Sequence, residues 1–130
     1  MNGLAATPTL LVVDDQPAIR TTLEFVLGIS GFAVLSADSG LAAVALAEEK
    51  TVHGVLIDIH MTGMGGFETC SRLRELPSFQ ATNPKIWFMT GAANQTIEKR
   101  GVEMGSRGLF TKPFNHVELV ARIQRDLAET

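Results

Sequence analysis

The sequence predicts a doubly wound α/β fold, in which an open parallel sheet of five strands carries helices on both faces. Five short apolar runs alternate along the chain with stretches of helical length and periodicity. The apolar runs are continuous, which is typical of parallel strands covered on both sides. The chain has 130 residues, of which 45% are hydrophobic, and this is enough to bury one core.

The strands are recognised as apolar segments rich in β-forming residues. The run Leu10-Leu11-Val12-Val13 is apolar throughout, and Gly54-Val55-Leu56-Ile57-Asp58 ends in a single acidic residue. The five predicted strands cover residues 10–13, 32–37, 54–58, 85–90 and 109–111.

The helices are placed by their start and stop signals. Pro17 suits a first helical turn, and Gly31 supplies a stop. Ser39 is a good N-cap, and Asn115 with Glu118 has the spacing of a capping box. The five predicted helices cover residues 17–30, 40–50, 67–76, 95–104 and 116–127, and 78–84 is predicted as a polar connection.

Two further expectations concern the helices. The inward-facing stripes are expected to include Leu41 in the second helix and Val117 in the last. The fourth helix contains Gly101, which costs about 1 kcal/mol relative to alanine, so it is expected to be the least stable of the set.

Right-handed crossovers favour the flavodoxin-like strand order 2-1-3-4-5. In such sheets ligands bind beyond the carboxyl ends of the strands, where the strand order reverses, here between the first and third strands. Residues 1–8 are predicted to be an N-terminal extension, and residues 9–130 a single domain.

Composition narrows the functional classes. The net charge of −3 argues against direct nucleic-acid binding by this domain. Cys70 is the only cysteine, so no internal disulfide forms, and no signal peptide or run of about 18 apolar residues is present. We therefore expect a cytoplasmic protein that does not enter the membrane.

Polar residues stand at the carboxyl ends of four predicted strands: Asp14, Asp15, Asp58, Thr90 and Lys112. Taken singly, each of these residues could be an ordinary loop, capping or turn residue. The predicted fold, however, brings all five to one edge of the sheet. Three clustered carboxylates need a neutralising cation, and a few hard oxygen ligands suit Mg²⁺. A carboxylate beside Mg²⁺ and an ammonium group can accept a phosphoryl group.

The sequence resembles the receiver domain of two-component response regulators, in particular chemotaxis regulators, from about Thr9 to Leu127. The resemblance rests on these motifs: Leu-Val-Val-Asp14-Asp15, Asp58-Ile-His-Met61 with Gly63-Met64-Gly65-Gly66, Met89-Thr90-Gly91 and Thr111-Lys112-Pro113-Phe114. It implies a phosphoacceptor signalling domain, not a turnover enzyme, that carries an aspartyl phosphate.

The resemblance implies a role for each site residue. Asp58 would accept the phosphoryl group, Asp15 would bind Mg²⁺ directly, Asp14 would bind it mainly through water, and the backbone carbonyl of His60 would complete the protein ligands. Lys112 would pair with the phosphoryl oxygens and Thr90 would hydrogen-bond them. Gly91 would leave the phosphate site open. The peptide bond between Lys112 and Pro113 would be cis.

Further implications concern regulation. His60, two residues after Asp58, is either only a loop residue or one that tunes how fast water removes the phosphate, and we favour the second interpretation. The donor would be a phosphohistidine on a sensor histidine kinase or a histidine phosphotransfer protein. Phosphorylation would change the face formed by the fourth helix, fifth strand and fifth helix, and so control an unidentified output protein or domain. The sequence fits both a stand-alone response regulator and a receiver segment of a longer protein.

Three departures from the family pattern stand out. Thr62 replaces the usual proline after the acceptor. Leu109 occupies the position where many members carry a switching aromatic residue, which puts the usual threonine–aromatic coupling in doubt. Arg107-Gly108 replaces an acidic pair found in members that dimerise through the fourth helix, fifth strand and fifth helix. A homodimer through that face is therefore an option without strong support.

Three other functions fit the sequence less well. An aspartate-nucleophile phosphatase usually has a second acid where His60 stands. A flavodoxin-like electron carrier would need a phosphate-binding loop where Asp14-Asp15 stands, and two carboxylates repel a flavin phosphate. A degenerate receiver that acts only by protein contact would not need the five polar residues, and it is kept as the alternative.

Overall fold

The computed structural model describes residues 7–129, and this part of the chain forms five strands and six helices. The strands are β1 (Thr9–Val13), β2 (Ala33–Ala37), β3 (Gly54–Asp58), β4 (Lys85–Thr90) and β5 (Gly108–Thr111). The helices are α1 (Pro17–Ile29), α2 (Gly40–Glu49), α3 (Gly66–Arg74), α4 (Pro77–Thr82), α5 (Gln95–Glu103) and α6 (His116–Ala128). Residues 1–6 of the predicted extension lie outside the described residues.

The sheet is parallel, and its strand order β2-β1-β3-β4-β5 is the predicted one. β1 lies between β2 and β3, so the order reverses there. The registers Val13 to Ile57 and Asp58 to Met89 bring the carboxyl ends of β1, β3 and β4 level. Side chains that follow these ends therefore meet at one edge of the sheet.

The core has two layers, one on each face of the sheet. In β3, Val55 and Ile57 point into the layer that α2, α3 and α4 cover, while Leu56 points into the other. The second layer is closed by α1 and α6, which contribute Leu23 and Ile123 among others. All five residues of β3 are buried, as expected for a central parallel strand.

Local signals set several of the element ends. The side chains of Ser39 and Asn115 accept hydrogen bonds from the backbone N–H groups of Ala42 and Glu118, so both predicted caps are confirmed. Gly31 follows α1 with a φ of +101°, a backbone conformation that favours glycine. No helix within residues 7–129 combines the length and apolar character that a membrane span requires.

The predicted number of helices was wrong, because the segment expected to be a polar connection contains α4. Pro77 ends the predicted third helix in the sequence interpretation, but it stands in the first turn of α4, where its missing N–H costs nothing. Phe79 is buried, and the Ser78 hydroxyl donates to the carbonyl oxygen of Ala47. These contacts fix the short helix against α2.

Two of the large residues that were predicted to face inward are in fact exposed. Leu41 is 69% exposed and Val117 is 80% exposed. In α2 the buried positions are Gly40, Ala43 and Ala47, all of them small residues. In α6 the inward face begins at Leu119, one turn after the cap.

Candidate functional site

Three carboxylates meet beyond the carboxyl ends of β1 and β3. Asp14 and Asp58 are buried, while Asp15 is half-buried. One oxygen from each of the three lies within 4.8 Å of the others. The arrangement concentrates negative charge at the point where the strand order reverses.

Lys112 brings a positive charge to the carboxylates of this cluster. It follows β5, and its Nζ lies 2.7 Å from Asp14 Oδ2 and 3.5 Å from Asp58 Oδ1. The backbone N–H of Lys112 donates to the carbonyl oxygen of Thr90, which holds the loop after β5 against the end of β4. The Lys112–Pro113 peptide bond is cis, the isomer that the resemblance implies.

The environment of Asp58 disfavours its ionised form. Burial raises the pKa of this carboxyl above its ordinary value, and the neighbouring Asp14 raises it further. The Lys112 ammonium and the hydrogen bond from the His60 backbone N–H act in the opposite direction without cancelling the rise. A cation close to Asp58 would therefore relieve an unfavourable charge.

The loop between β3 and α3 shapes one wall of the site. The backbone N–H of His60 donates to Asp58 Oδ1 at 3.4 Å, and that of Thr62 donates to Asp15 Oδ2 at 3.1 Å. Gly66 begins α3 so close to β3 that an added Cβ would lie 2.5 Å from the carbonyl oxygen of Asp58. The glycine thus allows the helix to start directly behind the acidic residue.

Gly91 lines the pocket on another side, directly after Thr90 at the end of β4. Thr90 is buried at the end of β4, and its hydroxyl accepts a hydrogen bond from the backbone N–H of Ala92. Gly91 is exposed, and no atom lies within 4 Å of where its Cβ would stand. The approach to Asp58 from this side is therefore open.

The structure brings most of the predicted site residues around one open pocket. Its lining residues are Asp15, Gln16, Pro17, Ala18, Asp58, His60, Gly91, Ala92 and Lys112. Two predicted residues lie elsewhere. Leu109 is half-buried and lines a separate cavity between α5 and β5, and Pro113 is exposed beside α6. Any influence of these two on the pocket must be indirect.

Gln16 is a site residue that the sequence interpretation missed. Its Oε1 accepts from Lys112 Nζ at 3.2 Å, and its backbone N–H donates to Asp14 Oδ1 at 2.9 Å. One feature of the sequence could have drawn attention to Gln16. Gln16 stands directly before Pro17, at the N-cap of α1, where Ser, Thr, Asp and Asn are the favoured residues.

Comparison with known proteins agrees with this geometry. The chain matches the family model of the response regulator receiver domain over residues 10–124. It is 33% identical over 123 residues to the transcriptional regulatory protein YvrH of Bacillus subtilis, covering 94% of this chain and 50% of that protein. The chain thus spans about half the length of the curated relatives that it matches.

Solved structures show the same fold. The chemotaxis protein CheY4 of Vibrio cholerae superposes with a TM-score of 0.85 at 29% identity, covering 92% of this chain and 98% of that one. The receiver domain of the sensor histidine kinase PA1611 from Pseudomonas aeruginosa, solved with a magnesium ion in its active-site cleft, superposes with a TM-score of 0.83 at 25% identity, covering 95% and 100%. On its sequence, its strand order and its acidic pocket, this chain belongs to the receiver domains of two-component response regulators.

Proposed function

We propose that Asp58 is the phosphoryl acceptor of a two-component or phosphorelay pathway. One observation carries the proposal: three carboxylates and one ammonium group meet in an open pocket, and Asp58 lies within reach of both the other carboxylates and the ammonium group. The donor would be the phosphohistidine of a sensor histidine kinase or of a histidine phosphotransfer protein. A degenerate receiver would have no use for this charge arrangement.

The donor atoms of the pocket fit Mg²⁺. All are hard carboxylate oxygens, and the pocket is open to the water molecules that this ion retains. Both oxygens of Asp14 already accept hydrogen bonds, from Lys112 and from the Gln16 backbone, which favours contact through water. Asp15, Asp58 and the His60 carbonyl would hold the ion directly, and the bound ion would supply positive charge against the transferring phosphoryl group.

The side chains then have distinct parts in the transfer. A carboxylate oxygen of Asp58 attacks phosphorus while the bond between phosphorus and the histidine nitrogen breaks, so the imidazole is the leaving group. Lys112, whose Nζ lies 3.5 Å from Asp58 Oδ1, would offset negative charge on the phosphoryl oxygens. The Thr90 hydroxyl, which accepts from the Ala92 N–H, would donate its own hydrogen to a phosphoryl oxygen, and His60 would influence how water reaches the phosphoryl group.

The output would be a change in the face formed by α5, β5 and α6. Phosphorylation would replace the single negative charge of the Asp58 carboxylate by the roughly −1.5 to −2 charges of a phosphoryl group, and Thr90 and Lys112 would move toward that group. Thr90 pairs with Thr111 of β5 in the sheet register, so a movement of Thr90 would also displace β5. The shifted face would bind an output partner or domain that is not yet identified.

A homodimer through this same face has less support. Arg107, at the start of β5, pairs within the chain with Asp126 at 3.9 Å and with Glu129. Its guanidinium is therefore already committed to α6. Contact with a different output protein does not require that pair to open.

The direct test is phosphorylation by a small donor. We expect incubation with Mg²⁺ and acetyl phosphate to add one phosphate-sized mass, measured by intact mass spectrometry. Asp58→Asn should abolish the addition, and Asp58→Ala should do the same. Asp38→Asn, an exposed aspartate after β2, is the matched control and should behave as wild type. An addition that persists in Asp58→Asn would refute the assignment.

Metal binding has its own test. Mg²⁺ should raise the Tm of the wild-type protein by mass action, without any phosphoryl donor. Asp15→Asn should remove most of this rise, since its amide oxygen can still accept from Thr62 but carries no charge. Equal Mg²⁺-induced rises in both proteins would argue against Asp15 as a ligand.

A further inference from the structure

Gln16 occupies a capping position without capping its helix. It stands at the N-cap of α1, yet its side chain makes no cap hydrogen bond. Its amide oxygen instead accepts from Lys112, 96 residues further along the chain, at 3.2 Å. Gln16 thus departs from the usual N-cap preference, and its side-chain amide binds a residue of the pocket instead. Departures of this kind are expected at functional sites.

We propose that Gln16 is a positioning residue for the phosphoryl transfer, because its side-chain oxygen aims the Lys112 ammonium group at Asp58. The inference rests on the proposed function of the same pocket. A lysine ammonium has three N–H donors and no acceptor. It follows that the amide group of Gln16 must present its oxygen, not its nitrogen, to Lys112.

The three donors of Lys112 have three oxygens to meet. Asp14 Oδ2 lies at 2.7 Å and Gln16 Oε1 at 3.2 Å, so both are within hydrogen-bond range. Asp58 Oδ1 lies at 3.5 Å, which is longer than a good hydrogen bond. Two donors are thus occupied by fixed partners, and the third is left for Asp58 or for a phosphoryl oxygen attached to it.

Gln16 is itself well placed to act as a fixed partner. Its backbone N–H is bound to Asp14 Oδ1, and Pro17 restricts the backbone that follows. Asp14 therefore holds both the ammonium group and the backbone of the residue that assists it. Without the Gln16 oxygen, Lys112 would keep one strong partner and could rotate about it.

The test replaces Gln16 by side chains of similar length. Gln16→Met removes the acceptor, while Gln16→Glu keeps an oxygen within reach of Lys112. Gln124→Met, at an exposed position of α6, is the control for the exchange itself. Two quantities are measured: the side-chain ammonium resonances of the four lysines in the unphosphorylated protein, and the rate of phosphorylation as a function of acetyl phosphate concentration with Mg²⁺.

We expect Gln16→Met to shift or broaden the Lys112 ammonium resonance, and Gln16→Glu to retain a bound ammonium signal. The maximal phosphorylation rate of Gln16→Met should fall roughly two- to tenfold, the value of one hydrogen bond, with an unchanged half-saturating concentration. Gln124→Met should match wild type in both measurements. A general loss of folding would instead move all four lysine signals.

The outcomes separate the inference from the function on which it rests. If wild type is phosphorylated and Gln16→Met has the same maximal rate or a higher one, the positioning role is wrong, whatever the resonance does. An unchanged Lys112 resonance in Gln16→Met also overturns it. If wild type takes no phosphate from any donor, the proposed function fails, while the resonances still test the contact between Gln16 and Lys112.

Discussion

The indole Nε1 of Trp87 donates a 2.7 Å hydrogen bond to Oδ2 of Asp126, and both residues are buried. Trp87 lies in the middle of β4, while Asp126 lies near the end of α6. The other carboxylate oxygen of Asp126 faces two guanidinium groups, Arg125 at 3.4 Å and Arg107 at 3.9 Å. This bond therefore ties the last helix to the centre of the sheet, away from the acidic pocket.

Asp126→Ala should destabilise the protein by about 1–3 kcal/mol, because it leaves a buried indole N–H without an acceptor. Trp87 is the only tryptophan, so its fluorescence during urea unfolding reports the change directly. Asp126→Asn keeps an oxygen acceptor and should cost less. If the Ala and Asn variants unfold at the same urea concentration, the hydrogen bond is not what stabilises this contact.

Asp58→Asn should stabilise the metal-free protein at neutral pH, because the ionised form of a carboxyl with a raised pKa is disfavoured in the folded state. The folded protein binds the Asp58 proton more tightly than the unfolded chain. Wild type therefore loses stability as pH rises through the folded pKa, and the variant does not.

The pH dependence distinguishes this cause from better packing. With EDTA present, the difference in Tm between Asp58→Asn and wild type should be largest at neutral pH. It should shrink as pH falls toward the pKa of the unfolded chain, where the wild-type carboxyl is protonated in both states. Asp38→Asn, at an exposed site, should show no such trend. A difference that stays constant with pH would contradict the explanation.

The position of the site could be predicted from sequence because it depends on topology. Once the chain is interpreted as five parallel strands, Asp14, Asp58 and Lys112 must share one edge of the sheet. Individual side-chain contacts could not be predicted in this way. That Gln16 binds Lys112 depends on rotamers and on the exact loop path, and no periodicity encodes either.

The errors in the helices have equally local causes. Proline both ends helices and begins them, so Pro77 alone could not distinguish a connection from the first turn of α4. An alanine-rich helix such as α2 has small residues on every side, and its larger residues need not face inward. Leu41 is exposed for this reason, while the smaller Ala43 and Ala47 are buried.

Thr90→Ala should separate phosphorylation from switching. The mass addition at Asp58 should persist, because the Thr90 hydroxyl is neither the acceptor nor a charge in the pocket. The phosphorylation-induced amide shifts of α5, β5 and α6 should shrink at least severalfold, as seen in ¹H–¹⁵N spectra, since the hydroxyl would no longer bind the phosphoryl group. Thr90→Ser retains the hydroxyl and should restore the shifts. Full-size shifts in Thr90→Ala would exclude this residue as the coupling element.

Gly101→Ala should stabilise α5 and weaken the switch at the same time. An added Cβ would meet Ser106 Oγ at 3.4 Å and Phe88 Cδ2 at 3.6 Å, which is ordinary contact, so alanine fits. It should stabilise the helix by up to about 1 kcal/mol and slow amide hydrogen exchange within α5. A switch that relies on the mobility of α5 should then show smaller phosphorylation-induced shifts.

Gly28→Ala is the matched control for that prediction. Gly28 lies in α1, and no atom stands within 4 Å of its added Cβ, so the substitution gives the same gain in helix propensity outside α5. It should raise Tm without reducing the shifts of α5, β5 and α6. If both alanine variants reduce those shifts equally, overall stability limits the response. If neither does, the glycine in α5 has no part in switching.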